Sequence, residues 1–261
     1  MQPGASPKLP RRTPTLMEAL VFGCILMIVV VLTAPLIQIA RQRSASASAL
    51  NSLRQLTAAN AAYLGQSAGV LPDRSSKGVG TWEAAGGAES RGAWFNALPP
   101  LVGAKSVRSF AATPQDFYTS ANLLYLPGAD YPTGDARLLR PYFAVAINSK
   151  LQTKGGKPPK LSDIAEPART ALFFEQRLPG ENTGFAQDST YTGGPKGSAK
   201  TFVGRYGGRG LIAFVDGHVE YIPVREVRTA GGKAIFPPTR VIWERTASED
   251  PNKTEASASA K

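Results

Sequence analysis

The longest hydrophobic pattern in the chain runs from Leu16 to Ala40 and contains one charged residue, Glu18. No residue from Ala19 to Ile37 carries a charge. A helix needs about 20 predominantly apolar residues to cross the hydrocarbon core of a bilayer. The pattern therefore predicts a transmembrane helix over residues 15–40.

Polar residues become frequent after Arg41, but a helical period continues. Small and apolar side chains recur every three or four positions, at Ala49, Leu53, Leu56, Asn60 and Tyr63. This spacing places them on one face of a helix. It predicts that residues 41–66 continue the helix outside the membrane and pack this stripe on a folded domain. Pro35 lacks a backbone N–H and is predicted to kink the helix.

Beyond Gly65 the sequence changes to short apolar runs separated by glycine and proline, which predicts a β-rich domain over residues 67–245. Five runs are candidate strands: Tyr142–Asn148, Ala171–Glu175, Leu211–Val215, His218–Val224 and Arg240–Trp243. Together with the long helix they predict an α+β fold, in which the helix packs on a C-terminal antiparallel sheet.

The clearest pair of strands surrounds Asp216 and Gly217. This dipeptide is typical of a two-residue type I′ turn, in which both residues have positive φ. Such a turn would pair Phe214 with Val219 and Ile212 with Tyr221, with all four side chains on one face of the hairpin.

Both ends of the chain are polar. Residues 1–14 combine prolines with three basic residues and no acid, and residues 246–261 contain few apolar side chains. Both segments are predicted to be disordered. A cleaved signal peptide would also start with basic residues, but its apolar core spans only about 7–15 residues. A retained membrane anchor with a cytoplasmic N-terminus is the preferred interpretation.

The net charge of the chain is +11, and the part beyond residue 40 carries +9. Such a surplus suits either an anionic partner, such as DNA or an acidic polysaccharide, or a solvated positive surface. The glycine-rich stretch 191–215 contains no acid and is predicted to be mobile. Its candidate contacts to a polyanion, beside Tyr206, are Lys196, Lys200, Arg205 and Arg209.

Glu18 has two interpretations. A carboxylate at the centre of a membrane helix costs roughly 2.5–3.5 kcal/mol, and less near an end. At headgroup depth, in the first helical turn, it would be stabilised by the positive end of the helix dipole. Alternatively, it would pair inside the membrane with a cation of another subunit.

The start of the helix resembles a known family. Thr15-Leu16-Met17-Glu18 is similar to the N-terminal motif of type IV pilins and type II secretion pseudopilins, and Pro35 matches the proline that kinks their helices. Further stretches resemble the prepilin-type H-X9-DG subfamily of verrucomicrobia and planctomycetes: Leu50–Leu56, Trp94–Pro100, Tyr142–Leu151, Phe173–Glu175 and Asp250–Asn252. The signature of that subfamily corresponds here to Tyr206, nine residues, and then Asp216-Gly217-His218.

The chain departs from the family pattern at two points. Thr13 and Pro14 occupy the leader cleavage junction, where the family has glycine followed by phenylalanine. A peptidase fitted to glycine would have to accept a β-branched side chain followed by a ring, so the leader is predicted to remain uncut. Tyr206 replaces the signature histidine, which removes an imidazole but keeps a ring that can stack or pack.

The chain has few side chains suited to catalysis. It contains one histidine, His218, and one cysteine, Cys24, which lies in the apolar run. These residues cannot form a Cys–His pair or a thiolate zinc site outside the membrane, so no enzymatic activity is predicted. Gly194–Thr201 differs from the P-loop motif at one position, Ala199, where the motif has glycine. No cofactor is predicted, except that the resemblance to pseudopilins implies a calcium ion, with Asp216 either a ligand or a turn residue.

Together these features predict a pilin-like structural subunit, a pseudopilin or minor pilin, of a type II secretion or type IV pilus-like system. It would span the inner membrane once, with a periplasmic C-terminal domain. Its partners would be other pilin-like subunits or secretion components, through Glu18 and Pro35. The alternative is a permanently anchored periplasmic module that binds an anionic polymer.

Overall fold

The structure is a computed structural model that describes residues 16–74, 79–151, 157–181, 193–250 and 252. The chain divides into two compact units, Met1–Ser44 and Ala45–Lys261. The leader 1–14, with Thr13 and Pro14, lies outside the described residues, and so does most of the tail 246–261.

One helix, α1, extends over Leu16–Gln66, close to both ends predicted for the long N-terminal helix. In the first unit the large apolar side chains that the structure describes, among them Leu20, Ile28 and Ile39, are exposed. By length and composition it is the one candidate transmembrane helix among the described residues. The hydroxyl of Thr33 donates to the carbonyl of Val29 (2.8 Å), which satisfies a polar group inside an apolar helix.

In the second unit, α1 buries the stripe that the sequence predicted. Ala49, Leu53, Leu56 and Asn60 are buried, and Tyr63 packs at the edge of the same core. Because residues three and four positions apart share a helix face, burial of this stripe explains how a polar, alanine-rich segment forms a helix.

The first half of the predicted β-rich domain contains short helices and 3-10 turns in place of strands. The helices are α2 (Trp82–Gly86), α3 (Trp94–Ala97) and α4 (Ala136–Leu139). Glycine and proline recur too often here for longer elements. Aromatic rings in edge or tilted contact hold the region together: Trp82, Trp94, Phe95, Phe117 and Phe143.

The described strands form one five-stranded sheet. They are β1 (Val145–Asn148), β2 (Ala171–Glu175), β3 (Lys196–Gly197), β4 (Arg209–Phe214) and β5 (Val219–Pro223). Their order across the sheet is β3-β1-β2-β4-β5. Since β1 and β3 are parallel and the other pairs antiparallel, the sheet is mixed, and the prediction of a purely antiparallel sheet is wrong.

The predicted strand Arg240–Trp243 is also wrong. Ile242 makes a single parallel bridge to Thr170, and the ring of Trp243 meets that of Phe174 edge-on, with centroids 4.9 Å apart. The segment therefore covers one face of the sheet and does not extend it.

Both faces of the sheet are buried. Phe173 and Leu211 belong to the core that includes the α1 stripe, whereas Phe174 and Ile212 belong to a second core on the other face. Burial on two faces explains why the sequences of the inner strands β1, β2 and β4 are mainly apolar without alternation.

The hairpin of β4 and β5 has a different turn from the one predicted. The N–H of Gly217 donates to Phe214 O (3.0 Å), and the N–H of Phe214 donates to His218 O (2.9 Å), which encloses three loop residues. Gly217 has a φ of 99°, whereas Asp216 is not among the residues with positive φ. These features define a type I turn followed by a glycine bulge.

The longer turn moves the strand pairing by one residue. Val219 pairs with Ala213, and Tyr221 pairs with Leu211. Val219 and Tyr221 therefore pack on the helix-side core, while Phe214 and Ile212 lie on the opposite face. The predicted register is wrong, and as a one-residue slip requires, the predicted common face is wrong as well.

Candidate functional site

A cluster of buried charged residues lies next to the signature hairpin. Glu175 ends β2, Arg205 and Tyr206 form the turn before β4, and Glu181 lies in the loop after β2. The side chains of Arg205, Glu175 and Glu181 are at most 5% exposed. Three ionisable groups are thus held together inside the second unit.

Arg205 is the centre of this buried cluster. Its Nε and Nη2 donate to the two carboxylate oxygens of Glu181, over 2.7 and 2.8 Å. Nη2 also donates to the carbonyl of Gln176 (2.7 Å), and Nη1 lies 3.4 Å from Glu175 Oε1. Such a forked contact between a guanidinium and a carboxylate is both strong and geometrically specific.

Glu175 accepts hydrogen bonds from two further directions. The backbone N–H of Leu211 donates to its Oε2 (2.8 Å), and the Tyr206 hydroxyl donates to its Oε1 (3.2 Å). Through these bonds one carboxylate joins β2 to β4 and to the preceding turn.

Burial and charge act against each other in this cluster. Burial raises the pKa of Glu175, and the charge of Arg205 opposes that shift. Burial lowers the pKa of Arg205, but the negative charges of Glu181 and Glu175 outweigh it and raise the pKa above its ordinary value. The pKa of Tyr206 is raised by burial and by Glu175. The arginine therefore stays charged and compensates the acids.

Tyr206, which occupies the position of the signature histidine, contacts Tyr221, and Tyr221 in turn binds α1. The ring of Tyr206 meets that of Tyr221 edge-on, with centroids 5.9 Å apart. The hydroxyl of Tyr221 donates to the carbonyl of Ser46 on α1 (2.9 Å). Tyr206 thus packs with its ring and donates with its hydroxyl.

The predicted polyanion contacts do not form one group, although Lys200 lies in the 3-10 turn that follows β3 and Lys196. Arg205 is buried in ion pairs, so its assignment as a polyanion contact is wrong. Lys196 lies on β3, at the edge of the sheet, and Arg209 is the first residue of β4, three strands away. Because neighbouring strands are about 4.8 Å apart, the two residues are separated by roughly 14 Å across the sheet. Burial and the nearby Arg74 lower the pKa of Lys196.

The glycine-rich segment from Gly193 onward is held by the fold. Gly193 and Pro195 carbonyls accept hydrogen bonds from Phe143 and Ile147, and the Trp94 indole also donates to Pro195 O (2.9 Å). The prediction of a mobile basic segment is therefore wrong for these described residues, and Gly194–Thr201 is a strand followed by a 3-10 turn, unlike a phosphate-cradling loop.

The tip of the hairpin is occupied by Asp216 and His218. Asp216 Oδ1 accepts from the backbone N–H of His218 (3.1 Å) and lies 2.6 Å from its Nδ1. The imidazole stacks on the Phe214 ring at 4.3 Å and 8°. Among the described residues, no three His, Cys, Asp or Glu side chains converge as a metal site. These contacts favour a turn role for Asp216 over calcium binding.

Sequence reasoning missed the chemistry of the buried cluster. Glu181 was not singled out, and Glu175 was noted only as part of a motif. The available signal was a glutamate that ends an apolar strand, ALFFE, because a buried carboxylate requires a cationic partner. Glu18 and Pro35 lie within α1, and their assembly roles stay predictions.

No protein-family model matches this chain, and neither a curated protein nor a solved structure does. The resemblance to pilins therefore rests on the motifs named above.

Proposed function

We propose that this protein is a membrane-anchored structural subunit of the pilin type, a pseudopilin or minor pilin. The observation that carries the proposal is α1: one helix has an exposed apolar part in the first unit and a buried stripe in the second. Exposed apolar surface on this scale is stable only in lipid or against other helices.

The motifs at the start of α1 support an assembly role. Glu18 is the only charged residue of the apolar run, and a lone carboxylate there needs a cationic partner or the membrane interface. In a bundle of such helices, a cation of a neighbouring subunit would supply that partner.

The experiment uses the single native cysteine, Cys24, which is exposed. Oxidative cross-linking through Cys24 in membranes would report helix–helix contact between subunits. Glu18→Ala should leave membrane insertion intact and reduce the cross-linked dimer several-fold. Thr33→Ala, in the same helix, should leave the dimer unchanged. Equal cross-linking of Glu18→Ala and the native chain would refute the assembly role and favour headgroup depth.

The alternative function is an anchored module that binds an anionic polymer. The +9 charge beyond residue 40 supports this alternative, but Arg205 is buried and is not available as a contact. A polymer-binding groove would have to be built from Lys196, Lys200 and Arg209 across the sheet, and this makes the structural-subunit proposal the stronger of the two.

A further inference from the structure

Two neighbouring leucines, Leu138 and Leu139, are exposed on the surface of the second unit. They belong to the short helix α4, and their exposed fractions are 46% and 69%. Among the described residues of this unit, one other large apolar side chain is exposed, that of Phe236. Exposed apolar side chains that lie side by side indicate a contact surface more strongly than single ones do.

The turn that carries the two leucines is bonded to the core of the unit. The indole of the buried Trp82 donates to the carbonyl of Arg137 (2.8 Å). The hydroxyl of the buried Tyr118 donates to the carbonyl of Arg140 (3.2 Å). Because both leucines lie between these two bonds in the chain, the fold presents them at the surface on a fixed backbone.

Strand pairing places α4 at one end of the sheet, where β1 begins. Val145, the first residue of β1, pairs with Glu175 at the end of β2. Glu175 accepts a hydrogen bond from the N–H of Leu211 near the start of β4, and Leu211 pairs with Tyr221. Since α4 precedes β1 by a short segment, it lies at the same end of the sheet as these residues.

This end of the sheet is tied to the start of the second unit. The hydroxyl of Tyr221 donates to the carbonyl of Ser46 (2.9 Å). Ser46 is six residues beyond Ala40, where the apolar run ends, and six residues span at most about 20 Å. In a chain that is anchored by the apolar run, this end of the second unit therefore stays within reach of the bilayer surface.

The charged neighbours of the leucines have contacts within the protein. The guanidinium groups of Arg137 and Arg140 lie over the rings of Tyr118 and Tyr142, at 4.9 and 4.5 Å from the ring centroids. Asp135, at the start of the same turn, balances part of their charge. The exposed apolar surface, and not the charge, is therefore the feature that a partner would cover.

We infer that Leu138 and Leu139 insert into the surface of the bilayer that α1 crosses and hold the second unit against it. Insertion removes the apolar surface of both side chains from water. The anchor makes the contact intramolecular, so no further molecule is needed. The contact requires the membrane anchor of the proposed function but does not require pilin-type assembly.

The test places single fluorescent probes on the full chain in phosphatidylcholine vesicles. In a Cys24→Ser background, Thr133→Cys carries a nitrobenzoxadiazole probe on an exposed residue close to α4 in the chain. Gln66→Cys carries the control probe on α1, 20 residues beyond Ser46 and so about 30 Å along the helix. Lipids with a nitroxide near the headgroup should quench the first probe and leave the control probe bright. A probe on the native Cys24, with nitroxides deep in the acyl chains, tests the anchor separately.

Variants show whether the leucines make the contact. Leu138→Ser combined with Leu139→Ser should reduce quenching of the Thr133→Cys probe several-fold, whereas Phe236→Ser, at the other exposed apolar residue, should not change it. The inference is overturned if the double variant is quenched as strongly as the native chain, or if the Thr133→Cys probe is bright while the Cys24 probe is quenched. A blue-shifted Thr133→Cys probe that lipid nitroxides do not quench would assign the leucines to a protein partner. An unquenched Cys24 probe would refute the anchor and the contact together.

Discussion

At the residue scale, Arg205 is the side chain whose loss should cost most. It compensates two buried carboxylates, Glu175 and Glu181, and removal of one partner of a buried ion pair leaves an uncompensated charge. Arg205→Ala should lower the free energy of unfolding by about 3–5 kcal/mol. Urea unfolding of the full chain in micelles, followed by tryptophan fluorescence, measures this change.

The matched control is Arg209→Ala, because Arg209 is exposed and, among the described residues, its guanidinium donates to one group, the carbonyl of Tyr221 (3.0 Å). Its effect should stay within about 0.5 kcal/mol. Equal losses in the two variants would show that the buried cluster contributes no more than a surface contact.

The hydroxyl of Tyr206 can be tested separately from its ring. Tyr206→Phe keeps the edge contact with Tyr221 but removes the hydrogen bond to Glu175, which should cost about 1.5–3 kcal/mol in unfolding free energy because the acceptor is charged. Tyr125→Phe is the control, since Tyr125 stacks on Tyr131 and its hydroxyl has no hydrogen bond among the described residues. If both variants unfold at the same urea concentration as the native chain, Tyr206 acts through its ring alone.

Glu244 predicts a pH dependence of stability. Burial raises the pKa of Glu244 to about 7, and Lys150 opposes this shift; its Oε1 has no hydrogen-bond partner. The folded state therefore binds a proton more readily than the unfolded chain, whose glutamate pKa is about 4.3. This contribution to stability is present at low pH and is lost as the pH rises from about 4 to 7.

Glu244→Gln should remove that dependence and raise the unfolding free energy at pH 8 by roughly 3 kcal/mol, because a pKa shift of one unit is worth about 1.4 kcal/mol. The exposed Glu83, which is not among the charges that act on Glu244, supplies the control, Glu83→Gln. The measurement is the difference in urea stability between pH 5 and pH 8. An unchanged difference in Glu244→Gln would contradict the prediction.

Residue-level chemistry was the least predictable from the sequence. Arg205 lies in a basic, glycine-rich segment, and this pattern predicts a cation exposed on the surface. Its partner Glu181 is 24 residues away in the chain, and only the packing of β2 against β4 brings them together. Asp216, in contrast, was open to either interpretation, and its local hydrogen bonds favour the turn.

At the element scale, strands that bury both faces were easiest to predict. β2 occupies Ala171–Glu175 as predicted, because its first four residues, ALFF, are apolar without interruption. β3 has two residues and no hydrophobic pattern of its own, so no sequence signal could identify it. Arg240–Trp243 is equally apolar but covers a face, and periodicity cannot distinguish these two roles.

The hairpin turn gives a prediction at this scale. Gly217 has a φ of 99°, a value that costs an L-residue roughly 1–2 kcal/mol. Gly217→Ala should therefore lower the unfolding free energy by about that amount. Gly65→Ala, in a helix with no atom within 4 Å of the added Cβ, should be neutral or stabilising. If Gly217→Ala is neutral, the bulged turn assigned here is incorrect.

At the scale of the whole molecule, the sequence predicted the division into helix and sheet but not the arrangement of the sheet. The apolar run and the stripe of Leu53 and Leu56 were enough to place α1, since both depend on local periodicity. Strand order and the parallel pair of β1 and β3 depend on contacts between distant segments.

If the proposed pilin-type function is correct, the fate of residues 1–13 decides how the whole molecule could assemble. Thr13 and Pro14 stand where the pilin resemblance implies a cleavage after glycine. If the leader is retained, no free terminal amine lies near Glu18, and Arg11 or Arg12 becomes the nearest cation for a neighbouring Glu18. Membrane fractions from cells that express a prepilin peptidase should therefore yield an intact chain of 27.6 kDa by mass spectrometry.

The matched variant restores the family junction, with Thr13→Gly combined with Pro14→Phe. Because glycine removes the β-branched side chain and phenylalanine removes the ring constraint, this double variant should lose its first thirteen residues in the same cells. Its new terminal amine would also lie close to Glu18, so cross-linking through Cys24 should increase. A native chain that begins at Pro14, and above all one with an N-methylated terminus, would show that Thr13 does not block cleavage.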